Sequence, residues 1–265
     1  MGKRILVVGG DRRQTYLANR LKVLGSVETL AVPGHPDSAG EGVADLLILP
    51  CPSFDSRGLL RAGEGLSMSE LLPRVGPKTV CFGGALTDKR ELLPSVLQNT
   101  VDLLAEPVVA AENGRLTAEA AVTLTQLQTE DSLRGKGCLI LGWGRIGKPL
   151  SRLLQPMGAK VTVAVRRREV QAEAESLGLG SLGLSAVSGP FDLVFNTVPT
   201  PVLTAGQVTG LGAECLWVEL ASAPGGLDPG EDSVRRLPAG GLPGKLTPKA
   251  AAEVLYQGIV RSVEV

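Results

Sequence analysis

The sequence predicts an α/β fold of two doubly wound domains on parallel sheets, with the C-terminal helix packing back on the N-terminal domain. Three observations carry this. Two segments, residues 3–10 and 138–147, run from an apolar strand into glycines, and a helix-forming stretch follows each. The strand candidates are continuous apolar runs, the pattern of strands covered on both faces. Stretches rich in Gly, Pro, Ser and Asp separate them from segments of helical periodicity.

The elements follow in order. Residues 3–8 are the first strand, Gly9-Gly10-Asp11 a turn, and residues 14–24 carry apolar side chains at helical spacing. Further strands are expected at 27–32, 44–49, 78–82 and 107–111. The loop 50–67 is long for a compact domain, and loops of that length tend to be functional or mobile. Residues 117–129 form a helix with Ala, Val and Leu along one side, read as the connector between domains. Past the second glycine turn come a helix at 146–157 and strands at 160–165, 191–199, 216–221 and 234–237. The helix at 248–261 has no core of its own to cover, so it is assigned back to the first domain. Residues 1–115 with 246–265 then form an N-terminal substrate domain, and residues 116–245 a nucleotide domain. The chain would cross between them twice and leave a cleft.

Both domains are Rossmann-like, and the second carries the sharper motif. Gly142-Trp143-Gly144-Arg145-Ile146-Gly147 follows a buried strand and opens a helix, the context that gives Gly-x-Gly-x-x-Gly its meaning. Gly142 allows the tight turn, Gly144 lets backbone approach a pyrophosphate, and Gly147 lets helix and strand pack closely. An NAD site usually places Asp or Glu about 20 residues beyond the glycines, for the ribose 2′-hydroxyl. Here Arg166, Arg167 and Arg168 stand at that strand end, and guanidinium forks suit a 2′-phosphate. NADP is the expected cofactor, with NAD the alternative; the competing reading of the arginines is a solvated helix start. The polar tip Asn196-Thr197-Val198-Pro199 ends an apolar strand where ligands of such sheets bind, so Thr197, Val198 and Pro199 are expected to face the cofactor.

Composition narrows the function. The chain has 265 residues, 27 basic and 27 acidic, so it shows no charge footprint for nucleic acid or anionic membrane. No apolar run reaches the ~18 residues of a membrane span, and the N-terminus enters a strand directly, so a cytoplasmic location is expected. Cys51, Cys81, Cys138 and Cys215 are scattered without paired spacing, which suggests neither zinc nor disulfides. His35, the only histidine, lies in a Gly-His-Pro loop and is a poor candidate base.

Six motifs in series give a resemblance. Gly9-Gly10-Asp11-Arg12-Arg13-Gln14, Thr117-Ala118-Glu119, the Gly142–Gly147 turn, Asn196-Thr197-Val198-Pro199, Leu220-Ala221-Ser222-Ala223-Pro224-Gly225-Gly226, and Gly241-Leu242-Pro243-Gly244 with Pro248-Lys249 resemble the dipicolinate synthase A-subunit family. Leu116, Ala120 and Ala223 depart from its usual pattern. The resemblance implies NAD(P)-dependent oxidation of a dihydrodipicolinate-type ring to dipicolinate, on a branch from the lysine/diaminopimelate pathway used in spore formation. It also implies a partner, the flavoprotein-like B subunit of dipicolinate synthase, and the mother cell of a spore former; a homo-oligomer is expected.

A small heterocyclic dicarboxylate needs fixed donors. Arg13 is the leading carboxylate anchor, since bidentate pairing orients as well as binds. Asp11 is equally a helix cap or a catalytic group. Ser222 with the N–H groups of Gly225 and Gly226 would form a second anion nest. Lys249 begins the last helix, where a cation opposes the dipole unless an anion compensates. Glu119, in an otherwise apolar helix, is the candidate general base; the competing reading is a structural hydrogen bond between domains. Two alternatives stay open: another two-domain NAD(P)-dependent dehydrogenase of a small acid, and a non-catalytic NADPH-binding subunit.

Overall fold

A computed structural model describes residues 2–38, 40–63 and 66–263. The first strand, β1 (Lys3–Val8), buries Ile5, Leu6, Val7 and Val8 completely, as a run without alternation requires. It leads through Gly9 and Gly10, both at positive φ, into α1 (Arg12–Leu21). Asp11 caps that helix by accepting from the Arg13 N–H at 3.0 Å, and α1 therefore starts earlier than its apolar periodicity suggests. β2 (Gly25–Leu30), β3 (Leu46–Ile48), α2 (Met68–Leu71), β4 (Val80–Gly83) and β5 (Val101–Asp102) follow. The five strands form one parallel sheet, in the order β2-β1-β3-β4-β5.

The strand expected at 107–111 is instead the opening of α3 (Pro107–Thr129). Its local signals are those of a helix start. Pro107 has no N–H to leave unpaired, and the Glu106 carboxylate accepts from the N–H groups of Val108 (3.2 Å) and Val109 (2.7 Å). The short apolar run Val108–Ala111 had no periodicity to separate strand from helix.

After α3 come β6 (Gly137–Leu141), α4 (Gly147–Leu154), β7 (Lys160–Val165), α5 (Arg168–Ser176), β8 (Gly180–Gly183), β9 (Leu193–Asn196), α6 (Ala205–Gly210), β10 (Leu216–Glu219) and β11 (Arg235–Pro238). They form a second parallel sheet, in the order β11-β10-β9-β6-β7-β8. Strand order reverses between β6 and β9, so the crevice at their carboxyl ends is the place for a ligand. The chain ends with α7 (Leu242–Leu246) and α8 (Pro248–Val263).

Two compact units result, Met1–Asn113 with Pro243–Val265 and Gly114–Leu242. In the first, α8 lies on α1, as the sequence led one to expect. Ala252, Leu255 and Ile259 join Leu17, Ala18 and Leu21 in one buried cluster, with Arg20 stacked 4.1 Å above the Tyr256 ring. The loop after β3 is anchored at several buried points, while Ser56, Arg57, Leu59 and Arg61 stay exposed. Ser53 Oγ donates to the Pro50 carbonyl (2.8 Å) and accepts from the Gly84 N–H (3.0 Å), and Phe54, Leu60 and Ala62 are buried. Residues 64 and 65 of that loop lie outside the described residues. In the second unit, Leu139, Leu141, Val194 and Trp217 fill one face of the sheet and Ile140, Phe195 and Val218 the other. No helix among the described residues is long and apolar enough to cross a membrane.

Candidate functional site

In the second unit each glycine of the Gly142–Gly147 turn is explained by what surrounds it. Gly142 has φ +98°, and a Cβ there would come 2.5 Å from Thr197 Oγ1. At Gly147 a Cβ would run into the Gly142 carbonyl, so the first turn of α4 lies directly against the strand end. A Cβ on Gly144 would meet nothing within 4 Å. No protein atom requires glycine there, and the open space before α4 is what a pyrophosphate would fill. Arg145 is exposed but its carbonyl is covered by α3, where only Gly114 leaves room. Ile146 precedes α4 and packs on the core.

A cavity of about 300 Å³ lies beside this turn, lined by Gly142, Trp143, Arg166, Arg167, Val170 and Val198 among others. Arg166 and Arg167 thus share a surface with the glycine turn; Arg168 is the first residue of α5. The Trp143 ring has Lys148 Nζ 5.9 Å from its centre, and Lys148 pairs with Glu173 at 2.6 Å. Thr197 does not offer its hydroxyl to the cavity. Its Oγ1 donates to the Leu141 carbonyl (2.7 Å) and closes the end of β6, while Pro199 is exposed outside the lining. These residues fit a nicotinamide dinucleotide by backbone shape at the glycines and by charge at the arginines.

Sequence reasoning missed the most heavily bonded group of this unit. Glu219, the last residue of β10, is 6% exposed. Its Oε1 accepts from Asn196 Nδ2 (2.6 Å) and the Ala221 N–H (3.3 Å), and Oε2 from Trp217 Nε1 (3.1 Å) and the Gly226 N–H (2.9 Å). Arg236 Nη2 stands 3.9 Å away. A charged residue closing an apolar strand was the available signal. The expected anion nest at Ser222 is amended by the same contacts. Gly226 N–H is committed to Glu219 and Gly225 N–H to the Ser222 carbonyl (3.1 Å), so the anion of that nest is Glu219 itself, and Ser222 is an exposed loop residue. Glu119 is also not the buried carboxylate its helix suggested. Its side chain is 41% exposed and pairs with Arg115 one turn earlier on α3.

In the first unit the opening and closing motifs meet. Arg13, 5% exposed, donates from Nε to Asp11 Oδ1 (2.9 Å) and from Nη2 to Asp11 Oδ2 (2.7 Å). A Cβ on Gly244 of α7 would overlap Asp11 Oδ2 and lie 3.0 Å from Arg13 Nε. The Arg61 carbonyl accepts the Gly10 N–H (2.6 Å), and the charge of Arg61 reaches Asp11. Burial pushes the Asp11 carboxyl up, but the hydrogen bond and charge of Arg13, with a smaller share from Arg61, outweigh it and hold the group below the usual carboxylate range. The picture of Arg13 as an uncommitted anchor therefore changes, since two of its three nitrogens already hold a carboxylate. Lys249 is exposed and lines a different cavity, of about 890 Å³, with Arg12, Tyr16, Asn19 and Arg20. His35 Nε2 lies 3.3 Å from the Thr15 carbonyl. The four cysteines are buried and free, and burial pushes each thiol up to about 12, so none is a nucleophile at neutral pH.

Comparison with known proteins agrees with this geometry. Residues 110–209 match the NAD-binding domain of the D-isomer specific 2-hydroxyacid dehydrogenases. The chain thus carries the nicotinamide-dinucleotide-binding domain of an oxidoreductase. It is 26% identical over 277 aligned positions to the A subunit of dipicolinate synthase from Bacillus subtilis (strain 168), covering 96% of this chain and 93% of that protein. Among solved structures, the dipicolinate synthase A subunit from Bacillus halodurans is similar with a TM-score of 0.86 at 23% identity, covering 98% of this chain and 97% of that one. The A chain of the Bacillus subtilis dipicolinate synthase gives 0.82 at 24% identity, covering 100% and 96%. The two structures share the fold, and the sequence relative extends the six-motif resemblance along nearly the whole chain.

Proposed function

We propose, from its likeness over 96% of its length to the A subunit of dipicolinate synthase, that this chain oxidises a dihydrodipicolinate-type ring to dipicolinate with NADP(H), for spore formation. The observation that carries the cofactor half is a glycine turn that is open at Gly144 and whose Gly142 and Trp143 share one cavity surface with Arg166 and Arg167. An acidic residue there would repel a 2′-phosphate; two guanidinium groups attract it. Bound nicotinamide would supply the hydride acceptor. The ring gives up a hydride and a proton and becomes aromatic, so the protein's task is orientation more than strong acid–base chemistry.

The substrate half rests on residues whose roles are proposals. Arg13 retains Nη1 for a substrate carboxylate, its other nitrogens being held by Asp11, which fixes the fork. Glu119 is the proposed base and Ser222 a further polar contact; Lys249, which lines a separate cavity with Arg12, is proposed only as a cation for a peripheral anionic group. In this reading the protein works in the cytoplasm of a spore-forming mother cell, together with a flavoprotein-like B subunit.

The test is direct. The purified protein, with and without the B subunit, is incubated with the cyclic lysine-pathway precursor and NADP⁺ or NAD⁺, while dinucleotide reduction and dipicolinate absorbance are followed. Stoichiometric reduced cofactor and dipicolinate are expected, faster with NADP⁺ at low concentration. Cofactor binding without dipicolinate under any combination would end the proposal.

A further inference from the structure

The ladder between β9 and β10 ends at the pair Glu219↔Asn196, and both side chains stand at the carboxyl edge of the sheet. The two loops that leave this edge are tied together through one carboxylate. Asn196 Nδ2 donates to Glu219 and also to the Val198 carbonyl (2.8 Å), while its Oδ1 accepts the Val198 N–H (3.1 Å). The loop after β9 is thereby folded onto Asn196, and Asn196 onto Glu219. The loop after β10 reaches the same carboxylate through the N–H groups of Ala221 and Gly226. Only glycine fits at 226, where a Cβ would overlap the Asn196 amide, and Gly225 beside it has φ +93°.

A charge is costly to bury, and strand pairing does not need one here. This carboxylate belongs to the last ladder pair, meets four donors, and the two loops it ties together both leave the ligand edge. We propose that Glu219 is a positioning residue for the nicotinamide half of the dinucleotide, acting through Asn196 and the loops 197–199 and 221–226. The inference rests on the dinucleotide reading given above. Arg166, proposed for the ribose phosphate, follows β7 on one side of the glycine turn, and β9 and β10 lie on the other, so a dinucleotide spanning the switch point puts its nicotinamide half over these loops.

Glu219→Gln keeps the shape but sets an amide NH₂ against two of the four donors, whichever way it turns. The measurement is the Kd of the wild type and this variant for NADPH or NADH, whichever the wild type prefers, and for the matching ADP-ribose fragment without nicotinamide. The expected result is a loss of about tenfold or more for the whole dinucleotide with the fragment unchanged within about twofold, the scale of hydrogen bonds to a charged group. Equal losses for both ligands would make Glu219 a general support of the domain and overturn the proposal; no loss for either would do the same. If circular dichroism shows that Glu219→Gln does not fold, Trp217→Phe, which removes one donor, is expected to give a smaller but equally selective loss, and a non-selective one overturns it. Failure of the wild type to bind either ligand would instead sink the dinucleotide reading itself.

Discussion

At the scale of single residues, the three motif glycines answer to three different constraints, and this separates binding from stability. A valine at 147 must collide with the Gly142 carbonyl, whereas one at 144 enters open space at an ordinary φ. Gly144→Val is therefore expected to keep the wild-type Tm within a few degrees and abolish dinucleotide binding, while Gly147→Val lowers Tm strongly. Calorimetric melting and cofactor titration of both variants check this, and normal binding by Gly144→Val would mean the turn was misread. Asp11 gives a pH-dependent counterpart. Its folded pKa lies below the ordinary 3.8, so the ionised group stabilises the fold fully above that value, and the contribution is lost as pH falls through the lower folded value. Asp11→Asn should cost about 1–2 kcal/mol at pH 7, since it leaves buried Arg13 without a countercharge in a pair one-third open to solvent on the Asp11 side. The gap to the wild type should close in acid below about pH 4. Because asparagine caps a helix as well as aspartate, a difference near zero at every pH would show that Asp11 acts as a cap alone.

Elements were legible where one signal dominated. The buried strands β1 and β7 could be read to the residue because continuous apolar runs stop at glycine or charge, and the glycine turns announced the helices after them. The opening of α3 was not legible as helix, because Val108–Ala111 is equally apolar as a strand and the deciding contacts are backbone N–H groups on Glu106. The candidate site shows the same division. Backbone requirements, such as φ at Gly142 and close approach at Gly147, are written in residue type and could be found by spacing. Side-chain pairing is written in three dimensions. Nothing in the sequence says that Arg13 turns back onto Asp11 two residues earlier, or that Glu219 collects donors from β9, β10 and a loop. Burial likewise depends on which face of a helix is covered, and α3, apolar along most of its length, still leaves Glu119 half in water.

At the scale of the whole molecule, the chain's first and last helices form one core. α8 buries Ala252, Leu255, Tyr256 and Ile259 with α1, so the core of the first unit is complete only when residues 248–263 have joined it. Chance placement of the chromophores makes this testable. Both tryptophans, Trp143 and Trp217, belong to the unit Gly114–Leu242, and both tyrosines, Tyr16 and Tyr256, to the other. Ile259 is fully buried, and an aspartate there would place an unpaired carboxylate among Leu17, Leu21 and Leu255, a cost of about 3 kcal/mol or more. In urea, Ile259→Asp is expected to move the tyrosine transition to much lower concentration while the tryptophan transition keeps its wild-type midpoint. The variant should also retain dinucleotide binding in the window between the two transitions, because none of the residues lining the Gly142 cavity lies in the first unit. Coincident tyrosine and tryptophan transitions, shifted together, would show instead that the two units unfold as one, and that the last helix stabilises the nucleotide-binding sheet as much as its own.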